Sequence, residues 1–416
     1  MGFRINSDRR HRRQGKFGCG VAPSAAEAVA AVLFAALRDA DQWRDKLTKE
    51  EDLELNRQLK LINKPATKSF RTEFGDIVDC IEIHKQLTFD HPLLKNHVIQ
   101  MMPKTIPKGV ADEAPTYTSL KFMPKKIWCP EGSVPIKRAT KEDLIMGKHL
   151  KSLGLNYSAS TSRHDFSVDF RGYHYALLEV RMPKYKPLYG ARGRINLWNL
   201  SVNATQLSVA SICIVNGPRE ESNSIQAGWG VNPTLYPNDS RLYIFWTADG
   251  YKTGCYNLLC PGFVQVSTKI VLGSIIKPDS VYNGPQYDLL ISFHQDPITG
   301  DWWFMFQDEY VGYWPKKIFP SFNKGATYAS WGGEVYSPLT EPSPAMGSGH
   351  FPEEGYGKCA YVNQIQLFSR HQTFFSPHED FISIKADKSY CYNALDDENV
   401  TWGRYVYFGG PGNCTF

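Results

Sequence analysis

The chain has 416 residues, of which 42% are hydrophobic, 21% charged and 13% aromatic, a composition that is typical of a folded protein and excludes a disordered one. This length is sufficient for two compact domains, or for one large β domain with an accessory segment. The net charge of +5 is spread along the chain apart from one basic cluster between Arg4 and Lys16. We therefore expect no nucleic-acid partner.

The first 45 residues do not follow the pattern of an ordinary secretion signal. The apolar run "AVAAVLFAAL" at 28–37 comes after basic residues, but Glu27 precedes it and no small-x-small cleavage pattern follows it. The run is also shorter than a membrane-spanning helix requires, so we expect no membrane partner. Residues 1–45 are interpreted either as an atypical signal segment or as an incorrectly assigned start.

A small mixed α+β segment is predicted for residues 46–155. The stretch "LTKEEDLELNRQLKLINKP" contains a Thr48-x-x-Glu51 capping box and apolar residues at helical spacing, and the pattern stops before Pro65. Proline, glycine and histidine then interrupt short apolar runs as far as "WCPEGSVPIKRATKEDL". The Ser/Gly-rich stretch 151–164 has no periodicity, which predicts a linker after this segment.

Residues 165–416 are predicted to form short β-strands with few helices. Seven runs are rich in β-branched and aromatic residues and are separated by Gly, Pro, Asn and Asp: 173–182, 241–249, 264–276, 287–295, 301–314, 359–368 and 403–410. The intervening "DPITG" at 296–300 indicates a hairpin turn. Without an internal repeat, this pattern predicts an all-β domain, built as an antiparallel β-sandwich or barrel.

Cysteine and glycosylation patterns point to an oxidising compartment. The nine cysteines are accompanied by six Asn-x-Ser/Thr sequons, at Asn156, Asn199, Asn203, Asn238, Asn399 and Asn413. We therefore expect a secreted, extracellular or vacuolar protein. The cysteine spacings favour three disulfides, Cys80–Cys129, Cys255–Cys260 and Cys391–Cys414, and leave Cys19, Cys213 and Cys359 over. Reduced, buried thiols are the alternative; a metal site is disfavoured because no histidine lies near the C-x4-C pair, and no cofactor is predicted.

Two stretches contain residue types that are able to carry chemistry. In "AMGSGHFPEEG", Ser348 and His350 lie two residues apart, but no strand–elbow–helix pattern surrounds them, so we interpret the stretch as a glycine-rich turn. In "WGGEV", Glu334 follows two glycines that permit a close backbone approach, as a peptide substrate requires. The alternative for Glu334 is an ordinary outward-facing strand carboxylate.

Longer motifs resemble a known family. The segments "GDIVDC", "KQLTFDHPLLKNH" and "CPEGSVPIKR" resemble the activation peptide of the neprosin family of plant proteins, and "NSIQAGWGVNPTLY", "WGGEVYSP", "MGSGHFPEEGYGKCAYV" and "WGRYVYFGGPGNC" resemble its peptidase domain. Residues 46–155 then correspond to the activation peptide and residues 165–416 to the peptidase. The resemblance implies a secreted glutamic endopeptidase on a concanavalin-like β-sandwich, made as a zymogen and cleaving after proline at acidic pH.

The resemblance also implies a catalytic pair and reveals one departure from it. The family uses two glutamates, one in an "IEAGW"-type motif and one in "WGGEV". The second corresponds to Glu334, whereas the first falls on Gln226 in "SIQAGW". Glutamine keeps the shape and a neutral amide donor, but it has no proton to transfer.

This substitution leaves two interpretations open. The fungal eqolisins are similar in using a Gln/Glu pair on a related sandwich, an analogy of architecture that is compatible with an active Gln226/Glu334 pair. The alternative is an inactive paralogue that binds peptide or cell-wall polymer without cutting it. A lectin-like wall protein is a third class, suggested by the sandwich and the aromatic residues.

Four aromatic residues near the two motifs are candidate substrate-binding residues: Trp229, Tyr236, Trp246 and Trp331. A proline ring stacks well on an aromatic face, which gives a proline preference a physical basis; the alternative is that these rings fill the core. The expected partners are thus a proline-containing peptide or protein and the chain's own activation peptide. Cleavage near 151–164 at low pH is predicted to release that peptide.

Overall fold

The computed structural model describes residues 48–107, 128–144, 172–231 and 239–415. These residues form the α-helix α1, a helical stretch at 141–144 and 19 strands in three antiparallel sheets. No helix in these ranges is long and apolar enough to cross a membrane. Eight short 3₁₀ turns connect the elements: Ile83–Lys85, Leu87–Asp90, Pro92–Leu94, Arg219–Glu221, Lys316–Ile318, Pro320–Phe322, Pro352–Glu354 and Glu379–Phe381.

Helix α1, Lys49–Ile62, begins at the predicted capping box. The Thr48 hydroxyl accepts the Glu51 N–H at 3.2 Å, and the Glu51 carboxylate accepts the Thr48 N–H at 2.9 Å. Acidic residues in the first turn also interact favourably with the helix dipole. A three-stranded sheet follows the helix, and its strands are β1 (Lys68–Arg71), β2 (Ile77–Glu82) and β3 (Ser133–Lys137).

The predicted Cys80–Cys129 disulfide closes this N-terminal subdomain, which we define as residues 48–107 and 128–144. Cys80 lies on β2, and Cys129 lies just before β3, so the bridge fixes the return of the chain to the sheet. The mixed α+β character predicted for this segment is therefore confirmed.

The remaining strands form a two-sheet antiparallel sandwich. The front sheet has seven strands, in spatial order β17 (Ile382–Ala386), β4 (Tyr173–Arg181), β14 (Tyr328–Tyr336), β6 (Leu207–Asn216), β7 (Asn223–Val231), β8 (Arg241–Thr247) and β9 (Cys255–Tyr256). The back sheet has nine: β10 (Val264–Gln265), β13 (Glu309–Trp314), β12 (Trp302–Phe306), β11 (Asp288–Gln295), β5 (Gly190–Asn196), β15 (Ala360–Phe368), β19 (Gly403–Gly409) and β18 (Asn393–Asn399), with β16 (Phe374–Phe375) paired to β15.

The core lies between the two sheets and is filled by large aromatic rings. Fully buried members include Trp229, Trp302, Trp314, Trp331 and Phe293. Burial of one such side chain contributes roughly 1.5–3 kcal/mol, so the sandwich has the large core that its aromatic content predicts. The alternation of inward and outward side chains along each strand places every second residue on a sheet's outer face.

The sandwich prediction is confirmed, with differences in individual strands. The hairpin predicted at 296–300 joins β11 to β12, closed by a 2.7 Å hydrogen bond from the Gly300 N–H to the Asp296 carbonyl. The run 264–276, predicted as one strand, is a strand only at Val264–Gln265. Strands β5, β7 and β14 were not predicted, because each contains two glycines, which lower β propensity. Strand β6 was also not predicted, although four of its ten residues are β-branched.

The two remaining disulfides also form as predicted. Cys255–Cys260 closes the loop after β9, and Cys391–Cys414 fixes the C-terminal segment. Cys359 is a buried free thiol and Cys213 a half-buried one, whereas Cys19 lies outside the described residues.

The N-terminal subdomain contacts the sandwich at several points. The Gln86 side chain and the Gln265 backbone exchange two hydrogen bonds, at 2.9 and 3.0 Å. Asp76 forms a 2.7 Å ion pair with Arg241, and both side chains are almost completely buried. Leu94 is fully buried within the same apolar core as the sandwich. The subdomain is thus held by polar and apolar contacts together.

Candidate functional site

Three rows of residues cross the outer face of the front sheet and define the candidate site. In the register of the sheet, Glu334 on β14 lies beside Val209 on β6, which lies beside Gly230 on β7. Cys213 on β6 lies beside Gln226 on β7. Ser211 lies midway between Val209 and Cys213 on β6. The row of Ser211 therefore lies between the row of Glu334 and the row of Gln226.

Glycine on both sides of Ser211 keeps the middle row free of larger side chains. Its neighbours are Gly332 on β14 and Gly228 on β7. A Cβ on Gly332 would lie 2.3 Å from the Ala176 carbonyl oxygen, and one on Gly228 would lie 1.8 Å from the Ala210 carbonyl oxygen. Gly332 also has φ +140°, which L side chains rarely adopt. We call this row, Gly332–Ser211–Gly228, the trough floor.

Glu334 and Gln226 extend over the trough floor from opposite sides. The Gln226 Nε2 group donates a 2.8 Å hydrogen bond to Ser211 Oγ, and the same side chain is a hydrogen-bond donor to the Glu334 carboxylate. Both are half-buried, whereas Ser211 is only 5% exposed. Two residues that are 108 positions apart in the sequence thus meet in one site.

Burial raises the pKa of Glu334 to about 7, and the Gln226 hydrogen bond and the positive charge of Lys385 lower it. Desolvation disfavours a buried carboxylate, whereas a donor and a cation favour it. The result is a carboxyl group whose two protonation states are both populated near neutral pH. A group with this property can accept a proton from water and later return it.

Four tyrosines surround Glu334: Tyr173, Tyr175, Tyr243 and Tyr251. Burial is the largest cause that raises the pKa of each hydroxyl, and the negative charge of Glu334 contributes in every case. These hydroxyls therefore stay protonated. The Tyr173 and Tyr175 rings stack with centroids 6.3 Å apart, and the Lys385 ammonium lies 4.4 Å from the Tyr175 ring centroid.

On the other side of the trough floor, Tyr243 stacks on Tyr256 with centroids 5.7 Å apart. The Tyr243 ring covers Gly230, where an added Cβ would lie 3.6 Å from the ring. Its hydroxyl is buried and has no hydrogen-bond partner in satisfactory geometry among the described residues. Aromatic rings thus form walls on both sides of the floor.

Cys213 lies between Ser330 and Gln226 in the sheet, so a thiol is present beside the site. Burial, and then the charge of Glu334, raise the pKa of this thiol above its usual value. The thiol therefore stays protonated and is a poor nucleophile.

Three of the four candidate substrate-binding aromatics lie on the opposite face of the sheet. Trp229 and Trp331 are fully buried, and their indole N–H groups donate to the carbonyls of Asn196 and Arg192. Trp246 is 8% exposed and packs on Phe319 in the core. Each of the three lies three residues from an outward-facing side chain on its own strand. Because side chains on a strand alternate between the two faces, all three rings face the core and not a bound peptide. Tyr236 lies outside the described residues.

The sequence did not reveal Ser211, Tyr175, Tyr243 or Lys385 as parts of the site. The available signal was alternation: Tyr173 and Tyr175 are two residues apart and share the outer face with Glu334. Ser211 carries no such signal, since only the register of β6 against β14 and β7 brings it to the trough floor.

The Ser348–His350 stretch is the glycine-rich turn that was predicted. Gly347 and Gly349 have positive φ values, and the His350 N–H donates to Ser348 Oγ at 3.2 Å. The His350 ring instead contacts the Glu354 carboxylate at 2.9 Å. Among the described residues, no group of three or more His, Cys, Asp or Glu side chains is arranged to hold a metal ion.

The Glu334 carboxylate and the Gln226 amide thus lie side by side on the outer face of an antiparallel sandwich. The family described as Neprosin matches residues 204–411, and the one described as Neprosin activation peptide matches residues 69–179. The chain therefore belongs to the neprosin family. The activation-peptide match extends through most of β4, which in the structure is a strand of the front sheet.

Solved structures show a looser likeness. Scytalido-glutamic peptidase with a peptide-based transition state analog is 10% identical, with a TM-score of 0.30, over 57% of this chain and 97% of that chain. SCP-B, a member of the eqolisin family of peptidases in a complex with the tripeptide Ala-Ile-His, is 11% identical, with a TM-score of 0.29, over 57% and 96%. CG-16, a homodimeric agglutinin from chicken liver, is 8% identical, with a TM-score of 0.21, over 39% and 92%.

Proposed function

We propose that this protein is a glutamic endopeptidase, made as a zymogen, in which Gln226 and Glu334 form the catalytic pair. The observation that carries the proposal is the convergence of the two side chains over the trough floor, with the pKa of Glu334 raised to about 7. A half-buried carboxylate with this pKa is suited to general base catalysis.

In the proposed mechanism, ionised Glu334 removes a proton from a water molecule, and the water oxygen attacks the carbonyl carbon of the scissile bond. One amide hydrogen of Gln226 is donated to Ser211 Oγ, and hydrogen bonding by the same side chain lowers the pKa of Glu334. The second hydrogen is available to the oxyanion of the tetrahedral intermediate. Glu334 then returns its proton to the amide nitrogen as the C–N bond breaks, so Gln226 transfers no proton.

The pH dependence follows from the state of Glu334. A general base must be ionised, and Glu334 in the described arrangement is mostly protonated below pH 7. Turnover is therefore expected to rise as the pH rises through the pKa of Glu334. Because burial is the main cause of the raised value, admission of water to the site lowers the pKa towards its ordinary value of 4.5 and extends activity into the acidic range that the family resemblance implies.

A preference for proline is proposed to depend on the tyrosine walls rather than on the tryptophans. Tyr173 and Tyr175 have half-buried rings on one side of the trough floor, whereas Tyr243 on the other side is only 3% exposed. A proline ring stacks on an aromatic face without the conformational entropy cost of a flexible side chain. Substrates with proline beside the scissile bond are therefore favoured in this proposal.

Export into an oxidising compartment, extracellular or vacuolar, belongs to the same proposal. Its support is the three disulfides, which are rare in reducing compartments. Three sequon asparagines, Asn203, Asn399 and Asn413, are exposed and so accessible to glycosylation.

The test is cleavage of a proline-containing peptide between pH 3 and 9, after removal of the activation segment. We expect turnover by the wild-type chain and its loss in Glu334→Ala. The exposed carboxylate variant Glu220→Gln is the matched control and should cleave normally. Equal turnover by Glu334→Ala and the wild type would contradict the proposal.

The second candidate function is peptide or wall-polymer binding without cleavage, and Gln226 itself favours it, because an amide has no proton to transfer. This function predicts measurable peptide affinity, no turnover in the wild type and turnover gained in Gln226→Glu. In the active-enzyme proposal, by contrast, Gln226→Glu converts a single rising pH limb into a bell-shaped profile, because two carboxyls then share the site.

A further inference from the structure

We infer that Ser211 is a positioning residue that fixes the orientation of the Gln226 amide, so that its NH2 group and not its oxygen faces Glu334. The inference rests on the proposed function and assigns a role to a residue that no family motif singled out. The observation that carries it is the 2.8 Å hydrogen bond from Gln226 Nε2 to Ser211 Oγ at the centre of the trough floor.

An amide side chain has two ends of nearly equal size and opposite polarity. Rotation about its last bond exchanges a donor for an acceptor at the same place. For Gln226 the exchange would turn its carbonyl oxygen towards the Glu334 carboxylate, where like partial charges repel. It would also turn an acceptor towards the substrate oxygen that becomes the oxyanion. The orientation of the amide therefore determines whether Gln226 is able to act.

The position of Ser211 in the sheet is suited to fixing the orientation of the Gln226 amide. It is 5% exposed, and β6 holds it between β14 and β7, with nine-residue registers on both sides. Gly332 and Gly228 flank it, so no larger side chain on these two neighbouring strands competes for its hydroxyl. The hydroxyl thus occupies a fixed position between the two functional side chains.

A serine hydroxyl both accepts and donates, so the observed bond leaves its own hydrogen to be directed elsewhere. The Tyr243 hydroxyl is near Ser211 and has no partner in satisfactory geometry among the described residues. It is therefore the natural recipient of the Ser211 hydrogen. A hydroxyl that donates becomes a better acceptor, which strengthens the hold of Ser211 on the Gln226 amide.

The test compares Ser211→Ala with Ser211→Thr, which restores the hydroxyl. Ser292→Ala is the matched control, since Ser292 is also 5% exposed but lies on β11 of the back sheet. After removal of the activation segment, Ser211→Ala should lower kcat about tenfold with little change in KM, the typical effect of losing one buried hydrogen bond. Threonine should recover most of this loss, and Ser292→Ala should have no such effect.

A second readout does not depend on turnover. The carboxyl infrared band that disappears in Glu334→Gln reports the protonation of Glu334 in the full chain. Ser211→Ala should raise the pKa of Glu334, read from this band, by about one pH unit, because the ordered amide donor is lost. Ser211→Thr should return the pKa to the wild-type value. If the wild type does not cleave peptides but this shift occurs, the proposed function fails and the role of Ser211 holds. An unchanged pKa and kcat in Ser211→Ala would overturn the inference.

Discussion

Ionisation of Glu334 lowers the stability of the folded protein. Its carboxyl group is half-buried, and burial raises its pKa from 4.5 to about 7 in spite of the nearby Gln226 amide and Lys385. The folded chain therefore binds this proton more tightly than the unfolded chain does. The contribution of Glu334 to stability is fully present below pH 4.5 and is lost as the pH rises through 7.

The Glu334→Gln variant should thus be more stable than the wild type at high pH. A difference in pKa of this size corresponds to roughly 3 kcal/mol in the free energy of unfolding. We expect the gain to be nearly complete at pH 8 and close to zero at pH 4. Chemical denaturation of both proteins at the two pH values measures it, and the exposed Glu220→Gln variant is the control. A gain that is equal at both pH values would contradict the raised pKa.

Strand β14 shows how an element is adapted to its two faces. In "WGGE", Trp331 faces the core, Gly332 forms part of the trough floor, Gly333 contacts Met346 in the core, and Glu334 faces the site. Each of the two glycines is needed on a different face. The motif therefore combines a core anchor, two close approaches and one side chain of the candidate site in four residues.

Gly332→Ala should destabilise the chain for two reasons, a positive φ and a backbone collision. The added Cβ would lie 2.3 Å from the Ala176 carbonyl oxygen. Gly357→Ala is a matched control, because Gly357 has φ +78° but no atom within 4 Å of an added Cβ. We expect a loss of about 1 kcal/mol for the control and about 3 kcal/mol or more for Gly332→Ala. Thermal unfolding measures both, and equal losses would show that the collision is relieved.

At the scale of the whole molecule, the N-terminal subdomain is held on the sandwich partly by groups that titrate. His97 Nε2 contacts the Tyr313 hydroxyl at 2.7 Å, and Gln100 Nε2 donates to Asp301 at 2.5 Å. Burial lowers the pKa of His97, and the charge of Lys317 lowers it further, whereas the charge of Asp301 raises it. Burial is also the largest cause that raises the pKa of Asp301.

The lowered pKa of His97 predicts that acid weakens this contact. A released segment binds a proton at His97 more readily than the docked one, so protonation favours release as the pH falls below the ordinary value of 6.5. His97→Gln keeps a side chain that can bond Tyr313 but does not titrate. In this variant, release of the N-terminal subdomain should depend less steeply on pH between 7 and 5. Limited proteolysis across this range measures release, and identical pH profiles for the variant and the wild type would exclude a role for His97.

Much of the fold could be predicted from the sequence because its determinants are local. The Thr48-x-x-Glu51 box starts a helix, the turn at 296–300 joins two strands, and the three cysteine pairs are the observed disulfides. The strands β7 and β14 were missed because the glycines that the site requires also remove the usual strand signal. Function and β propensity conflict in these two elements.

The candidate tryptophans illustrate an error that the sequence could have prevented. Trp229 is three residues after Gln226, and Trp331 is three residues before Glu334, so an odd spacing on a strand places each indole opposite its functional neighbour. The spacing that places the side chains on opposite faces can be read from the sequence. It applies only once both stretches are recognised as strands.

The sequence by itself was sufficient to predict the family, the three disulfide pairs and the pairing of Gln226 with Glu334, and it contains the alternation of the strands. The tertiary structure alone decided that these two side chains meet, that Ser211 lies between them, and that burial raises the pKa of Glu334. The physical reason is register. Residues two apart on one strand share a face wherever that strand lies. The neighbours of a residue on β14, β6 or β7 depend instead on how segments about a hundred residues apart pair in the sheet. The packing of the whole core fixes that pairing.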